Sequence, residues 1–396
     1  MLCQYTVTNY KCFKKSFTLD MQATNINEHN ETLLQSKDGE KFLPLSVLYG
    51  PNGAGKSTAL EALYSLFCKI MRPICAVSCN TKECLKRDAE SVIVPYKFCK
   101  KKDPTKYEVF FRTDINEYQY KVSFLDDKII DETLDKKSLE GKRYVSLFKR
   151  SGKEIKLNGS LKNYSCSDIS SELTLLSYLA ITHKRNAIIR DVINWIDKKF
   201  FYIDYGTPTE EGRILVGKEF RPMVLKMLKA MDVDISDYKM IRKDKRLNVL
   251  MTHDVGGEQY DLNLREESSG TIKLFAILHY IVLSLQRGAT IMIDELDAKL
   301  HPLLLKYVIG LFSDPTINKN KAQLIFTSHD LTTMNSETFR RDEIWFVAKG
   351  NEQDSMLYSL VEIKSERSDL NYSKRYLEGK YGADPYLQRI IDWEGI

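Results

Sequence analysis

The run Gly50-Pro51-Asn52-Gly53-Ala54-Gly55-Lys56-Ser57-Thr58 constrains this chain more than any other feature. Its spacing is G-x-x-x-x-G-K-[ST]. It lies between an apolar stretch, residues 43–49, and a stretch of helical periodicity from Ser57 to about residue 70. A strand that enters a glycine-rich loop and leaves as a helix turns its backbone N–H groups inward, where they can surround phosphate oxygens. The helix N-terminus adds the positive end of its dipole. Asn52, Gly53, Ala54, Gly55, Lys56, Ser57 and Thr58 are therefore the candidate phosphate-binding residues. Lys56 is expected to reach the β- and γ-phosphates, and Ser57 to ligate Mg²⁺.

At 396 residues, 43% of them hydrophobic, the chain is long enough for two lobes or for one large domain with an insertion. Ahead of the loop, residues 5–13 alternate like a strand, and residues 23–40 are polar. Residues 91–165 read as β: 107–113 and 118–124 flank a turn, and 129–134 and 144–149 continue the meander. Residues 171–202 recur at helical spacing, and a further helix is expected over about 219–231. A strand at 247–252 and a turn at Gly256–Gly257 suggest a hairpin into 260–264. From residue 268 the pattern changes to alternating helices and strands: a helix over 271–286, a strand over 289–293 and a helix over about 302–312. A strand over 323–327, a short helix and a strand over 343–347 follow. Such alternation implies a largely parallel sheet. The expected division is 1–170 as an N-terminal lobe, 171–245 as a helical insertion and 246–396 as a C-terminal lobe.

Three further motifs fall in that C-terminal part. Ala289-Thr-Ile-Met-Ile-Asp294-Glu295 brings a buried strand to its C-terminal end, where ligands bind in α/β sheets. Two adjacent carboxylates there can divide labour. Asp294 would hold Mg²⁺, and Glu295 would polarise the attacking water. Gln323-Leu-Ile-Phe-Thr327-Ser328-His329-Asp330 delivers His329 to the same edge, where it could contact a γ-phosphate or orient Glu295. Glu267-Ser268-Ser269-Gly270-Thr271 places small hydroxyl residues and a glycine at a helix N-terminus, which makes an anion site.

In this order the four motifs resemble the ATP-binding-cassette type of ATPase head found in SMC, RecF and OLD-type proteins. ESSGTIKLFAIL, DELDAKLHPLL, IFTSHD, RRDEIWFV and RSDLNYSKRYLEGKYGADPYL look, more closely, like the AAA family ATPases of the bacterial abortive-infection class, the RloA/AbiLi kind. The likeness spans 43–70 and 260–390; over 71–245 it holds only in the order of a β region and then helices. The resemblance implies an α/β fold: a P-loop head with an antiparallel β subdomain and a short helical insertion. It implies ATP and Mg²⁺ as cofactors, with Lys56, Glu295 and His329 catalytic. It also implies that Ser268, Ser269 and Gly270 close over ATP held by a second copy. The active form would then be a head-to-tail homodimer or a higher oligomer, and His301 would face its interface.

Departures from the family pattern carry information. The signature reads E-S-S-G-T rather than L-S-G-G-Q, which argues against transport. Gln119 is the available candidate for the glutamine that joins Mg²⁺ between lobes, although it falls on an expected strand. A single helix over all of 171–245 would reach only about 110 Å, so a long SMC-type coiled-coil arm is excluded. Beyond His329 lie 67 residues (396 − 329), so the nuclease domain of OLD proteins is not expected in this sequence. The expected role is a sensor or regulator in anti-phage defence that controls a separate, nuclease-like effector from the same operon. The alternative is a DNA-binding clamp of the RecF type, using Lys184, Arg185, Arg190, Lys198 and Lys199.

Charge does not decide between the two. Lys and Arg exceed Asp and Glu by five, and the local runs at 100–102, 198–199 and 242–246 read as solvated faces. No stretch approaches the ~20 apolar residues of a membrane span, and the N-terminus lacks a signal-peptide core. The expected location is cytoplasmic, with no membrane partner. The eight cysteines, including Cys68, Cys75, Cys79, Cys84 and Cys99, read as free thiols.

Overall fold

The computed structural model describes residues 1–78, 92–99, 102–166, 168–204, 220–243, 246–350, 352–364 and 370–384. At its centre is a six-stranded sheet. Its order is Phe200–Ile203, Thr290–Ile293, Gln323–Thr327, Leu45–Tyr49, Ile344–Lys349 and Ser355–Ser359. The first five strands are parallel and the last pairs antiparallel.

Alternate residues of these strands point to opposite sides, and both sides are apolar. Leu48, Met292, Ile325, Trp345 and Val347 join one core. Leu45, Val47, Ile291, Ile293, Leu324, Phe326 and Phe346 join the other. This explains why the strands read as unbroken apolar runs rather than alternating ones.

One face is covered by the helix Lys56–Ser78, and beyond it by a seven-stranded antiparallel sheet. That sheet runs in the order Glu154–Leu157, Val145–Ser151, Lys128–Ser138, Asn116–Leu125, Thr105–Arg112, Leu2–Thr8 and Phe17–Asp20. Two tyrosine hydroxyls pin it to the helix: Tyr5 donates to Ala59 O at 2.9 Å, and Tyr10 shares a 2.8 Å bond with Ser65. Gln323 joins the two sheets, accepting from Leu2 N at 2.7 Å and donating to Leu2 O at 3.0 Å. The opposite face carries the helices Ser269–Arg287, Pro302–Ser313 and Arg221–Ala230, with a three-stranded sheet of Asp237–Lys243, Arg246–Val255 and Glu258–Asn263.

Several expected elements shift. The stretch 171–202 is not helical throughout. Helices cover Leu175–Thr182 and Ala187–Lys198, and Phe200–Ile203 is then an edge strand of the central sheet. A four-residue apolar run carries no periodicity to separate strand from helix. The part read as a helical insertion thus contributes one strand to the central sheet and a second, Asp237–Lys243, to the three-stranded sheet. Where a short helix was expected before 343 there are bends and a single 3₁₀ turn, Arg341–Glu343. The helix Lys56–Ser78 runs past the expected end near residue 70 and through Pro73. Cys68 and Cys75 are buried on it, whereas Cys79, Cys84, Lys100, Lys101, Glu219 and residues 385–390 lie outside the described residues. By length and composition Ser269–Arg287 could cross a membrane; here its apolar face packs in the core, with Leu274, Phe275, Leu278 and Ile281 at 0 or 1% exposure.

Candidate functional site

Parallel pairing in register brings three strand ends to one edge. Ile293 lies opposite Phe326, and Thr327 opposite Leu48. The residues that follow are therefore neighbours: Gly50 with its loop, Ser328 with His329, and Asp294 with Glu295.

The loop 50–55 is held from behind. Ser355 Oγ donates to Ala54 O at 2.5 Å, and Ser355 N donates to Cys12 O at 2.8 Å. Gly55 has φ +108, and a Cβ there would stand 2.5 Å from Cys12 Sγ, so both the backbone and the space require glycine. Ala54 and Lys56 are buried at 0% and 6% exposure. The Lys56 ammonium donates to Gly50 O at 2.8 Å and Pro51 O at 3.3 Å. Burial lowers its pKa, and Asp294, Glu295 and Asp297 oppose that shift. The loop thus wraps its own lysine, with the helix N-terminus directly beneath.

The two carboxylate residues are tied together by one hydroxyl. Thr327 Oγ1 donates to Asp294 Oδ1 at 2.6 Å and accepts from Glu295 N at 2.7 Å. Asp294 is 7% exposed and Glu295 half-buried. Glu295 sits at φ +50, in the left-handed region where a side chain other than glycine is strained. Two residues on, Asp297 Oδ2 accepts from His329 N at 3.1 Å, while its buried Oδ1 has no partner. His329 is exposed; burial of its ring atoms and then the charge of Lys56 lower its pKa, against Asp297, Glu295 and Asp294. Lys56, Asp294, Glu295 and His329 therefore share one electrostatic neighbourhood.

Ser268, Ser269 and Gly270 open the helix Ser269–Arg287. Ser268 Oγ accepts from Thr271 N at 3.1 Å as the N-cap, and both serines are exposed. Just ahead, Glu267 bonds His253 at 2.6 Å. Gly270 lies so close to the segment after Glu295 that a Cβ would meet Lys299 O at 2.8 Å. Lys273 Nζ donates to Glu295 O at 2.5 Å and Ala298 O at 2.8 Å. Burial pushes its pKa down to about 8, against the pull of Asp297 and Glu295.

One candidate falls elsewhere, and another stands at the surface. Gln119 lies within the antiparallel sheet and donates to Glu108 on the adjacent strand at 2.5 Å, so its amide is engaged there. A glutamine on a strand could not be placed from spacing alone. His301 is exposed and caps the helix Pro302–Ser313, its Nδ1 accepting from Leu303 N at 3.2 Å. Sequence reasoning assigned no role to Thr327, Asp297, Lys273, Cys12 or Ser355. Thr327 and Asp297 lie inside motifs that were read. The other three come from distant segments, and only the fold brings them near.

A family model described as "AAA domain, putative AbiEii toxin, Type IV TA system" matches residues 45–335, most of the chain. The chain belongs to this AAA ATPase-domain family. Its fold is mixed α/β, a largely parallel central sheet with an antiparallel sheet beside it. No curated protein matches the sequence. Among solved structures, the SMC head domain from Thermotoga maritima is similar at 13% identity and TM-score 0.42, covering 90% of this chain and 98% of that one. An SMC head bound to the C-winged helix domain of ScpA gives 12% identity, TM-score 0.44 and coverage of 90% and 97%. An SMC head with a coiled coil and joint from Pyrococcus yayanosii gives 11%, 0.43, 96% and 99%. Scores at this level are too low to carry function.

Proposed function

We propose that the chain binds ATP with Mg²⁺ and hydrolyses it. The observation that carries this reading is the meeting of Lys56, Asp294, Glu295 and His329 at one sheet edge, with Thr327 bonded to both carboxylate residues. The phosphates would lie in the loop 50–55 against the N-terminus of the helix Lys56–Ser78. Lys56 would then exchange its two carbonyl acceptors for phosphate oxygens, a stronger charge-assisted bond. Ser57 and Asp294 would hold Mg²⁺, which neutralises charge on the phosphates when bound. Glu295, kept in place through its own N–H, would accept a proton from the attacking water. His329 would donate to the γ-phosphate or steady Glu295. Ser268, Ser269 and Gly270 would close over ATP held by a second copy in a head-to-tail dimer.

Release of inorganic phosphate from Mg-ATP tests the chemistry. Wild type should turn over, whereas Glu295→Gln should bind ATP with turnover lower by about 10²- to 10⁴-fold. Equal turnover in the two would remove Glu295 as the base.

The biological role we propose is that of a cytoplasmic sensor or gate in anti-phage defence, acting on a separate effector. It rests on the family match and on a site devoted to nucleotide. Co-purification with the product of the adjacent gene, changed by ATP, would support it; protection against phage by this protein alone would overturn it. Lys184, Arg185, Arg190 and Lys198 are exposed, which keeps a second reading open, a DNA-binding ATPase. Salt-dependent DNA binding that ATP tightens would favour that reading.

A further inference from the structure

Lys273 takes no part in the chemistry above, yet its ammonium is directed at main chain rather than at solvent. Both of its acceptors, Glu295 O and Ala298 O, belong to the turn that follows the strand Thr290–Ile293. That turn is difficult to hold. Glu295 and Lys299 both occupy the left-handed region, at φ +50 and +64, which disfavours residues with a Cβ. A turn of this kind persists only where its surroundings over-determine it. Three contacts do so here. Thr327 Oγ1 accepts the Glu295 N–H, Lys273 caps two of the turn's carbonyls, and Gly270 admits Lys299 O to close range. Two of the three come from the first turns of the helix Ser269–Arg287, the helix that begins at the exposed Ser268–Ser269.

We infer that Lys273 is a positioning residue that fixes the Glu295 backbone and joins the exposed helix N-terminus to the catalytic carboxylate. This rests on the reading of Glu295 as the base. A displacement of the helix N-terminus reaches the Glu295 carbonyl through one side chain. Occupancy of the serine-bearing turn and the aim of the carboxylate are thereby coupled within one subunit.

The test uses the full chain with Lys273→Met, Lys273→Gln and Lys273→Arg beside Glu295→Gln, measuring ATP Kd, kcat, KM and thermal midpoint. For Lys273→Met, kcat should fall at least about tenfold, as a misplaced group far from the bond being broken can cause. Its Kd for ATP should stay within about threefold of wild type, the signature of an interaction used in turnover rather than in binding. Lys273→Arg, which keeps the donors, should recover most of the kcat. If Lys273→Met does not fold, Lys273→Gln is read by the same criteria. Wild-type kcat in Lys273→Met, or a parallel loss of ATP binding, kcat and thermal midpoint, overturns the inference. Should Glu295→Gln itself turn over like wild type, the base reading fails and the inference with it. A slow Glu295→Gln beside a fast Lys273→Met removes the positioning role alone.

Discussion

The phosphate loop and the serine-bearing turn at 268–270 are both helix N-termini built of small residues, and the fold treats them in opposite ways. The loop is enclosed. Ala54 and Lys56 are buried, Ser355 bonds the Ala54 carbonyl, Cys12 packs on Gly55, and its lysine is satisfied by its own backbone. The turn is braced from beneath by His253 on Glu267 and by Lys273 on the neighbouring turn, while Ser268 and Ser269 stay exposed. On the proposed reading, one chain would complete the phosphate half of a site and point the other half outward. The proposal that a second copy supplies the complement rests on this contrast.

The sharpest way to break the contrast is Lys56→Ala. Calorimetric titration should show ATP binding lost, whereas Ser269→Ala should leave binding to the single chain unchanged. Comparable affinities would mean that the loop is not the primary site.

Next in size is Gly55→Ala. Its left-handed backbone and the 2.5 Å approach to Cys12 Sγ should cost about 1–3 kcal/mol in denaturant unfolding, and ATP affinity should fall with it. Gly270→Ala meets the Lys299 carbonyl at 2.8 Å but has no left-handed φ, so it should lose less stability and keep ATP affinity. A reversed order would show the turn, not the loop, to be the tighter structure.

A pH-dependent effect is expected beside the strand that flanks the loop. Glu343, 2% exposed, begins Ile344–Lys349 from the preceding turn, and burial pushes its carboxyl up to about 8. The native state therefore holds a proton that the unfolded chain releases near the ordinary carboxylate value. Stability should fall as pH rises from about 4.5 through about 8, and should level off above. Thermal midpoints of wild type at pH 5 and pH 8.5 should differ by more than those of Glu343→Gln; equal differences would exclude Glu343 as a source. The smallest effect is expected from Ser268→Ala, which loses a helix cap worth about 1 kcal/mol and should leave ATP binding to the single chain intact.

The central sheet was legible because its strands deliver the motifs. A glycine loop after 43–49, the acidic pair after 289–293 and the histidine after 323–327 state their own strand ends, and parallel pairing aligns them. Phe200–Ile203 and Ser355–Ser359 were not legible as members of that sheet, being short edge strands without a motif. The glycine loop 50–55 and the helix that follows it could be placed from spacing, since the spacing is itself the geometry. Thr327 was visible in its motif, but that its hydroxyl joins two carboxylate residues depends on strand register. Lys273 was hidden for a further reason: on a buried helix a lysine usually runs its stem along the surface to water, and nothing in sequence shows the head turning back onto main chain.

The most direct test of the two-copy site is the solution mass of Glu295→Gln, with and without Mg-ATP, by light scattering after gel filtration. Twice the chain mass with ATP, one chain mass without it, and loss of the doubled species on adding Lys56→Ala are expected. One chain mass in the presence of saturating, demonstrably bound ATP would contradict the account.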